Sequence, residues 1–120
     1  MPSIVRSCRL EKRHADLLSQ QARHRNLDVS TLASLYLEEK TQEEAFPGIG
    51  FRDSIGGREA YVLGHRVAVW EVAEVLKVVR SVKKCADYFT WSPALVRCAL
   101  NFAKKFPDRI AEDKAAERAA

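Results

Sequence analysis

The chain has 120 residues, 47% apolar and 30% charged, with a formal net charge of +4. That length holds one ordinary domain or two very small ones, and the composition is that of a globular rather than a disordered or fibrous protein. No apolar run approaches the roughly 20 residues that span a bilayer, and Met1-Pro2-Ser3-Ile4-Val5-Arg6 lacks the apolar core and cleavage site of a signal peptide, so no membrane association and a cytoplasmic location are expected.

Charge alternates in blocks. Residues 1–26 carry six Lys/Arg against two acids, residues 27–46 carry Lys40 against five acids, and residues 47–109 carry eleven bases against six acids. A basic, acidic, basic order suggests two modules with an acidic junction, and clustered basic residues are the footprint of nucleic-acid binding. Cys8, Cys85 and Cys98 are widely spaced, with Cys85 beside Ala86 and Cys98 beside Ala99, and buried free thiols are expected for all three.

In chain order, Ser3–Leu10 alternates so that Cys8 and Leu10 face one side while Ser7 and Arg9 face the other, which predicts a short amphipathic strand. Glu11 to about Arg25 has no Gly or Pro and carries Ala15, Leu18 and Ala22 at helical spacing, predicting a helix that Asn26 ends. Asp28 is a natural N-cap for a second helix from Val29 to about Glu43, with Leu32, Leu35 and Tyr36 on its apolar stripe. Phe46-Pro47-Gly48-Ile49-Gly50 stops that helix and places a domain boundary between residues 45 and 46.

Beyond it, Phe51-Arg52-Asp53 and Arg58–Leu63 flank Gly56-Gly57 as a hairpin. Helices are predicted over Val69–Arg80, Val82–Phe89 and Pro93–Phe106, the last capped by Ser92 with Pro93 at its first position. The tail from about Asp108 reads either as a solvated helix or as a frayed end. The expected fold is thus mostly α with short β. A strand–helix–helix module spans 1–45, and a β-hairpin with a three-helix, helix-turn-helix-like arrangement spans 46–120. A module of about 45 residues buries too little apolar surface to stand alone, so the first half is expected to dimerise.

A strand with outward bases followed by two helices, Val5-Arg6-Ser7-Cys8-Arg9-Leu10-Glu11 through Asn26-Leu27-Asp28-Val29-Ser30, resembles the ribbon–helix–helix (Arc/MetJ-like) family of transcriptional regulators. The resemblance implies an intertwined homodimer whose two-stranded ribbon enters the major groove of double-stranded operator DNA. It implies that Ser7 and Arg9 read base edges, that Val5 touches a thymine methyl, that Arg6 meets phosphate, and that the backbone at Val29 and Ser30 anchors a phosphate. Asp28 departs from that pattern, because its carboxylate competes with a phosphate for the same donors.

The second half resembles the bacterial family catalogued as domain of unknown function 433. The cues are Pro47-Gly48-Ile49, Phe51-Arg52-Asp53, Gly57-Arg58, Gly64-His65-Arg66 with Val69-Trp70-Glu71-Val72, and Val96-Arg97 before Ala99-Leu100. That resemblance implies an antitoxin encoded beside a PIN-like ribonuclease toxin. Tyr61, Trp70 and Trp91 are of the types favoured as interface anchors and are the candidate toxin contacts. No nucleophile elbow, phosphate loop or metal-ligand spacing is present, and His14, His24 and His65 have no ligand-like neighbours, so neither an enzyme nor a cofactor is expected. The expected function is that of a type II antitoxin. A stand-alone repressor without a toxin, and a dimeric adaptor that binds no DNA, are the alternatives.

Overall fold

In the computed structural model, which describes residues 3–55 and 57–119, the elements run α1 (Lys12–His24), α2 (Val29–Ala45), β1 (Ile49–Ser54), β2 (Gly57–Val62), α3 (Val69–Val79), α4 (Val82–Phe89), α5 (Pro93–Lys105) and α6 (Pro107–Ala119). The chain divides into two compact units, Met1–Glu38 and Glu39–Ala120. The division falls inside α2, ahead of the Phe46-Pro47 junction that the sequence suggests. No helix among the described residues is long and apolar enough to cross a membrane.

The N-terminal strand is not formed. Residues 3–11 have no regular secondary structure, and the one described sheet is the β1–β2 hairpin in the middle of the chain. This overturns the N-terminal ribbon–helix–helix. A strand must hand its N–H and C=O groups to a ladder, and no backbone N–H between Ser3 and Leu10 reaches another backbone group among the described residues. Cys8, in this arm, is exposed rather than buried, whereas Cys85 is buried and Cys98 half-buried. Burial raises the Cys85 thiol above its ordinary pKa.

The second unit is built around the hairpin. Its register pairs Ile49 with Val62 and Phe51 with Ala60, so these four buried side chains form the inner face. The outer face pairs Arg52 with Glu59, whose side chains meet at 3.0 Å, and the Arg52 guanidinium lies 4.9 Å from the Tyr61 ring centroid. Gly50 is opposite Tyr61, and a Cβ there would come within 2.6 Å of the Leu63 Cδ2 methyl, the far end of an exposed side chain that would have to move aside. Ser54 pairs with Gly57 across the turn; Gly56 of the expected Gly-Gly turn lies outside the described residues.

Val69, Val72, Cys85, Ala86, Val96, Ala99 and Phe102 complete the core from α3, α4 and α5. Phe102 is fully buried and meets Phe46, Phe51 and Phe106 at ring-centroid distances of 5.4, 6.1 and 5.1 Å. Short connections work because their caps are built in. Ser81 accepts from the Lys84 N–H and Ser92 from the Leu95 N–H, while Thr90 takes the left-handed conformation that ends α4.

Pro107 does not merely end α5. It opens a fourth helix of this unit, α6, so the three-helix, helix-turn-helix-like arrangement gives way to four helices around a hairpin. α6 packs on α3 and β2, although Ile110 is its only large aliphatic residue. Polar contacts hold it there. The buried Asp113 carboxylate accepts from the Ala60 N–H at 3.1 Å and pairs with Arg109 at 3.2 Å; Arg109 lies over the Phe51 ring, and Lys114 pairs with Glu74.

Burial raises the Asp113 carboxyl above its ordinary 3.8, against the opposing pull of Ala60 N–H and Arg109. The folded state therefore binds this proton more tightly than the unfolded chain. The contribution is greatest below pH 3.8 and is lost as pH rises through the raised folded value. Asp113→Asn should flatten that segment of the pH–stability profile. Asp113→Ala, which strands a buried N–H and a half-buried guanidinium, should cost about 1–3 kcal/mol in urea unfolding at neutral pH.

Candidate nucleic-acid interface

The first unit is a helical hairpin with a basic arm. α1 ends at Arg25 and Asn26, the latter at φ 55°, and the Leu27 N–H bonds back to the Ala22 carbonyl at 3.0 Å. The Asp28 carboxylate then accepts from the Thr31 N–H at 2.7 Å and starts α2. Tyr36 donates from its hydroxyl to Gln21 at 2.7 Å and ties α2 to α1.

Little is buried in this hairpin. Only Ala22 and Leu32 are buried between residues 3 and 38, whereas Ile4, Val5, Leu10, Leu17, Leu27, Val29 and Leu37 are exposed. Cys8 and Leu10 of the arm, with Leu17, Leu18, Ala33, Tyr36 and Leu37 of the helices, line an apolar groove of about 370 Å³. Ser7 and Arg9 do not line it. The alternation foreseen from the sequence survives as a direction of side chains, without the ladder that would make it a strand.

Arg6, Ser7 and Arg9 are exposed, and Val5 is 91% exposed. On α1 the basic residues are partly neutralised. Lys12 pairs with Asp16 at 2.9 Å, and Arg13 pairs with Glu11 at 3.2 Å, on exposed surface where such pairs contribute little. Val29 and Ser30 are exposed at the start of α2, but the neighbouring Asp28 carboxylate already takes the Thr31 donor. Its pKa is lowered by that backbone bond and by the Thr31 side chain, so it is ionised at neutral pH. A phosphate at the same helix end meets a fixed negative charge.

The three aromatic residues expected at a partner surface are half-buried and engaged within the chain. Trp70 donates to Glu59 at 3.3 Å, and through Glu59 and Arg52 it joins Tyr61 in one cluster on the outer face of the hairpin. Trp91 is separate. It donates to His65 Nδ1 at 3.0 Å and stacks on Phe89 with centroids 4.4 Å apart.

Sequence reasoning missed the Glu39–Arg58–Asp53 network and the Asp113 latch. Arg58 reaches Glu39 at 2.7 Å and Asp53 at 3.1 Å, which holds its guanidinium pKa above the usual range despite partial burial. The Asp53–Arg58 pair was readable from the hairpin register; Glu39 and Asp113 carry no local signal. Among the described residues, no group of three or more His, Cys, Asp or Glu is placed to hold a metal ion.

No protein-family model matches the chain, and searches of curated proteins and of solved structures found no significant match.

Asp28 has a depressed pKa, so the support it gives α2 is present above 3.8 and lost as pH falls through the lower folded value. Amide chemical shifts of Val29–Thr31 should report fraying of the first turn of α2 on acidification. Asp28→Ala should produce the same shifts at neutral pH, and Asp28→Ser, which keeps a capping oxygen, should not respond to acid.

Proposed function

We propose that the chain is a non-enzymatic, cytoplasmic DNA-binding regulator of the antitoxin type that acts as a homodimer and neutralises a PIN-like ribonuclease toxin. The observation that carries the reading is the first unit itself. Its helical hairpin leaves an apolar groove open beside an arm that carries the exposed Arg6 and Arg9. Two short helices with two buried residues do not offset their conformational entropy. A second copy of the chain, covering the groove, supplies the missing burial.

Dimerisation doubles the basic arms, and a pair of arms on one duplex gains affinity from effective concentration. Arg6 and Arg9 neutralise phosphates or enter a groove, Ser7 adds a hydrogen-bonding group between them, and Val5 offers an apolar contact. Val29 and Ser30 contribute only if the Asp28 carboxylate is displaced. The toxin reading rests on the resemblance of residues 46–110 to the antitoxin-like family. Trp70 suits that role best, because it also lines a groove of about 810 Å³ between α3 and α6 with Lys77, Ile110, Lys114 and Arg118.

Light scattering at micromolar concentration should return the mass of a dimer, and a monomer there contradicts the reading. Arg9→Ala should weaken binding to the DNA upstream of the protein's own coding region by about 1–3 kcal/mol. Wild-type affinity in that variant removes the arm from the interface. Co-expression with the adjacent gene product, followed by co-purification, separates an antitoxin from a stand-alone repressor.

A further inference from the structure

Four cations of the hairpin and α6, Arg52, Arg58, Arg109 and Lys114, each hold a carboxylate, whereas Arg118 near the end of α6 is exposed and has no ion-pair partner among the described residues. Residues 75–106 contain seven Lys/Arg against Asp87 alone. Among the described residues, Lys83, Lys84, Arg97, Lys104 and Lys105 are exposed and have no ion-pair partner.

The pattern on α5 is directional. Its inward positions Val96, Ala99 and Phe102 are buried, and its outward positions Arg97, Asn101, Lys104 and Lys105 form one exposed stripe. From Arg97 to Lys104 the stripe rises roughly 10 Å. α5 contains no acid, although the equally long α6 contains four.

Helix stability does not account for this arrangement. Lysines in the last turn of α5 suit its dipole, but Lys83 and Lys84 sit in the first turn of α4, where the dipole disfavours cations and where no acid is present. Unpaired like charges kept on adjoining helices against that preference are suited to a polyanion. Arg97 and Asn101, one turn apart, are also the side chains whose forks match guanine and adenine edges.

We infer that the exposed face of α5, flanked by Lys83 and Lys84 of α4, is a second contact surface for duplex DNA, independent of the N-terminal arm. Arg97 and Asn101 face the bases, and Lys104 and Lys105 face phosphates. This deepens the DNA-binding reading above and rests on it. With both surfaces on one chain, the dimer presents four contact regions rather than two, and the salt dependence of binding rises accordingly.

The test uses the full chain and a fluorescein-labelled 30-base-pair duplex of mixed sequence, with anisotropy read over a salt series. Arg97→Gln/Lys104→Gln/Lys105→Gln keeps helix-forming residues at exposed positions, and its circular dichroism should match wild type. It should reduce the slope of log K against log salt by about 2 per chain, one for each phosphate-facing lysine, and weaken binding at least tenfold at the lowest salt. Arg66→Gln/Arg118→Gln, which removes unpaired cations off the stripe, should change affinity less than twofold. Hydrogen exchange on the wild-type protein should slow in residues 93–105 when the duplex is added, which gives a reading independent of any variant.

Unchanged slope and affinity in the triple variant, with Arg6→Ala/Arg9→Ala abolishing binding, overturns the α5 surface and leaves the arm reading standing. Equal losses in the triple variant and the Arg66/Arg118 control also overturn it, because binding is then a matter of net charge alone. Tighter binding to a single-stranded RNA of the same sequence overturns the assignment to duplex DNA. Failure of the wild type to bind any duplex removes the DNA-binding reading together with this inference.

Discussion

Shortage of apolar burial in the first unit is the constraint on which the functional reading depends. Ala22 and Leu32 are buried there, while Leu10, Leu17 and Leu37 remain exposed around an open groove. Apolar surface of that kind stabilises a fold only when water is removed from it, at about 25 cal/mol per Å². In the proposed dimer a second copy removes this surface from water, and the two basic arms it brings together are the basis of the proposed DNA contact.

The second unit solves the opposite problem. It has a continuous core from Ile49 to Phe102, with the four phenylalanines packed edge to face or tilted at its centre. Its difficulty is α6, which has little apolar surface to offer and is held by Asp113, Arg109 and Lys114 instead. Such contacts are directional and cost desolvation, and Asp113 carries that cost as a raised pKa. Asp113 and Glu74 are each paired in fastening α6, while the exposed cations of α4 and α5 have no ion-pair partner among the described residues.

The correction at the N-terminus is instructive about alternation as a signal. Cys8 and Leu10 line the groove, and Ser7 and Arg9 do not. Alternation reports which side chains seek an apolar surface. It does not report whether the backbone finds a ladder, and residues 3–11 find none among the described residues. Asp28 behaves as its position in the sequence demands, capping α2 and placing a negative charge where a phosphate would otherwise sit.

Helices whose caps are local were legible in the sequence alone: Ser92 as an N-cap, Pro93 at a first turn, and the stop at Asn26 all act within four residues, where the chain's own stereochemistry decides. The hairpin was legible for the same reason, since turn residues and the period of two are local properties. Tertiary structure alone decided the rest. α6 became a helix of the fold because two groups distant in sequence hold it, the Ala60 N–H donating to Asp113 and Glu74 accepting from Lys114. Tyr61 and Trp70 became one cluster because register and packing bring Arg52 and Glu59 between them. Contacts such as Asp113 with the Ala60 N–H, Lys114 with Glu74 and Arg58 with Glu39 join residues far apart along the chain, and no local window of sequence contains both members.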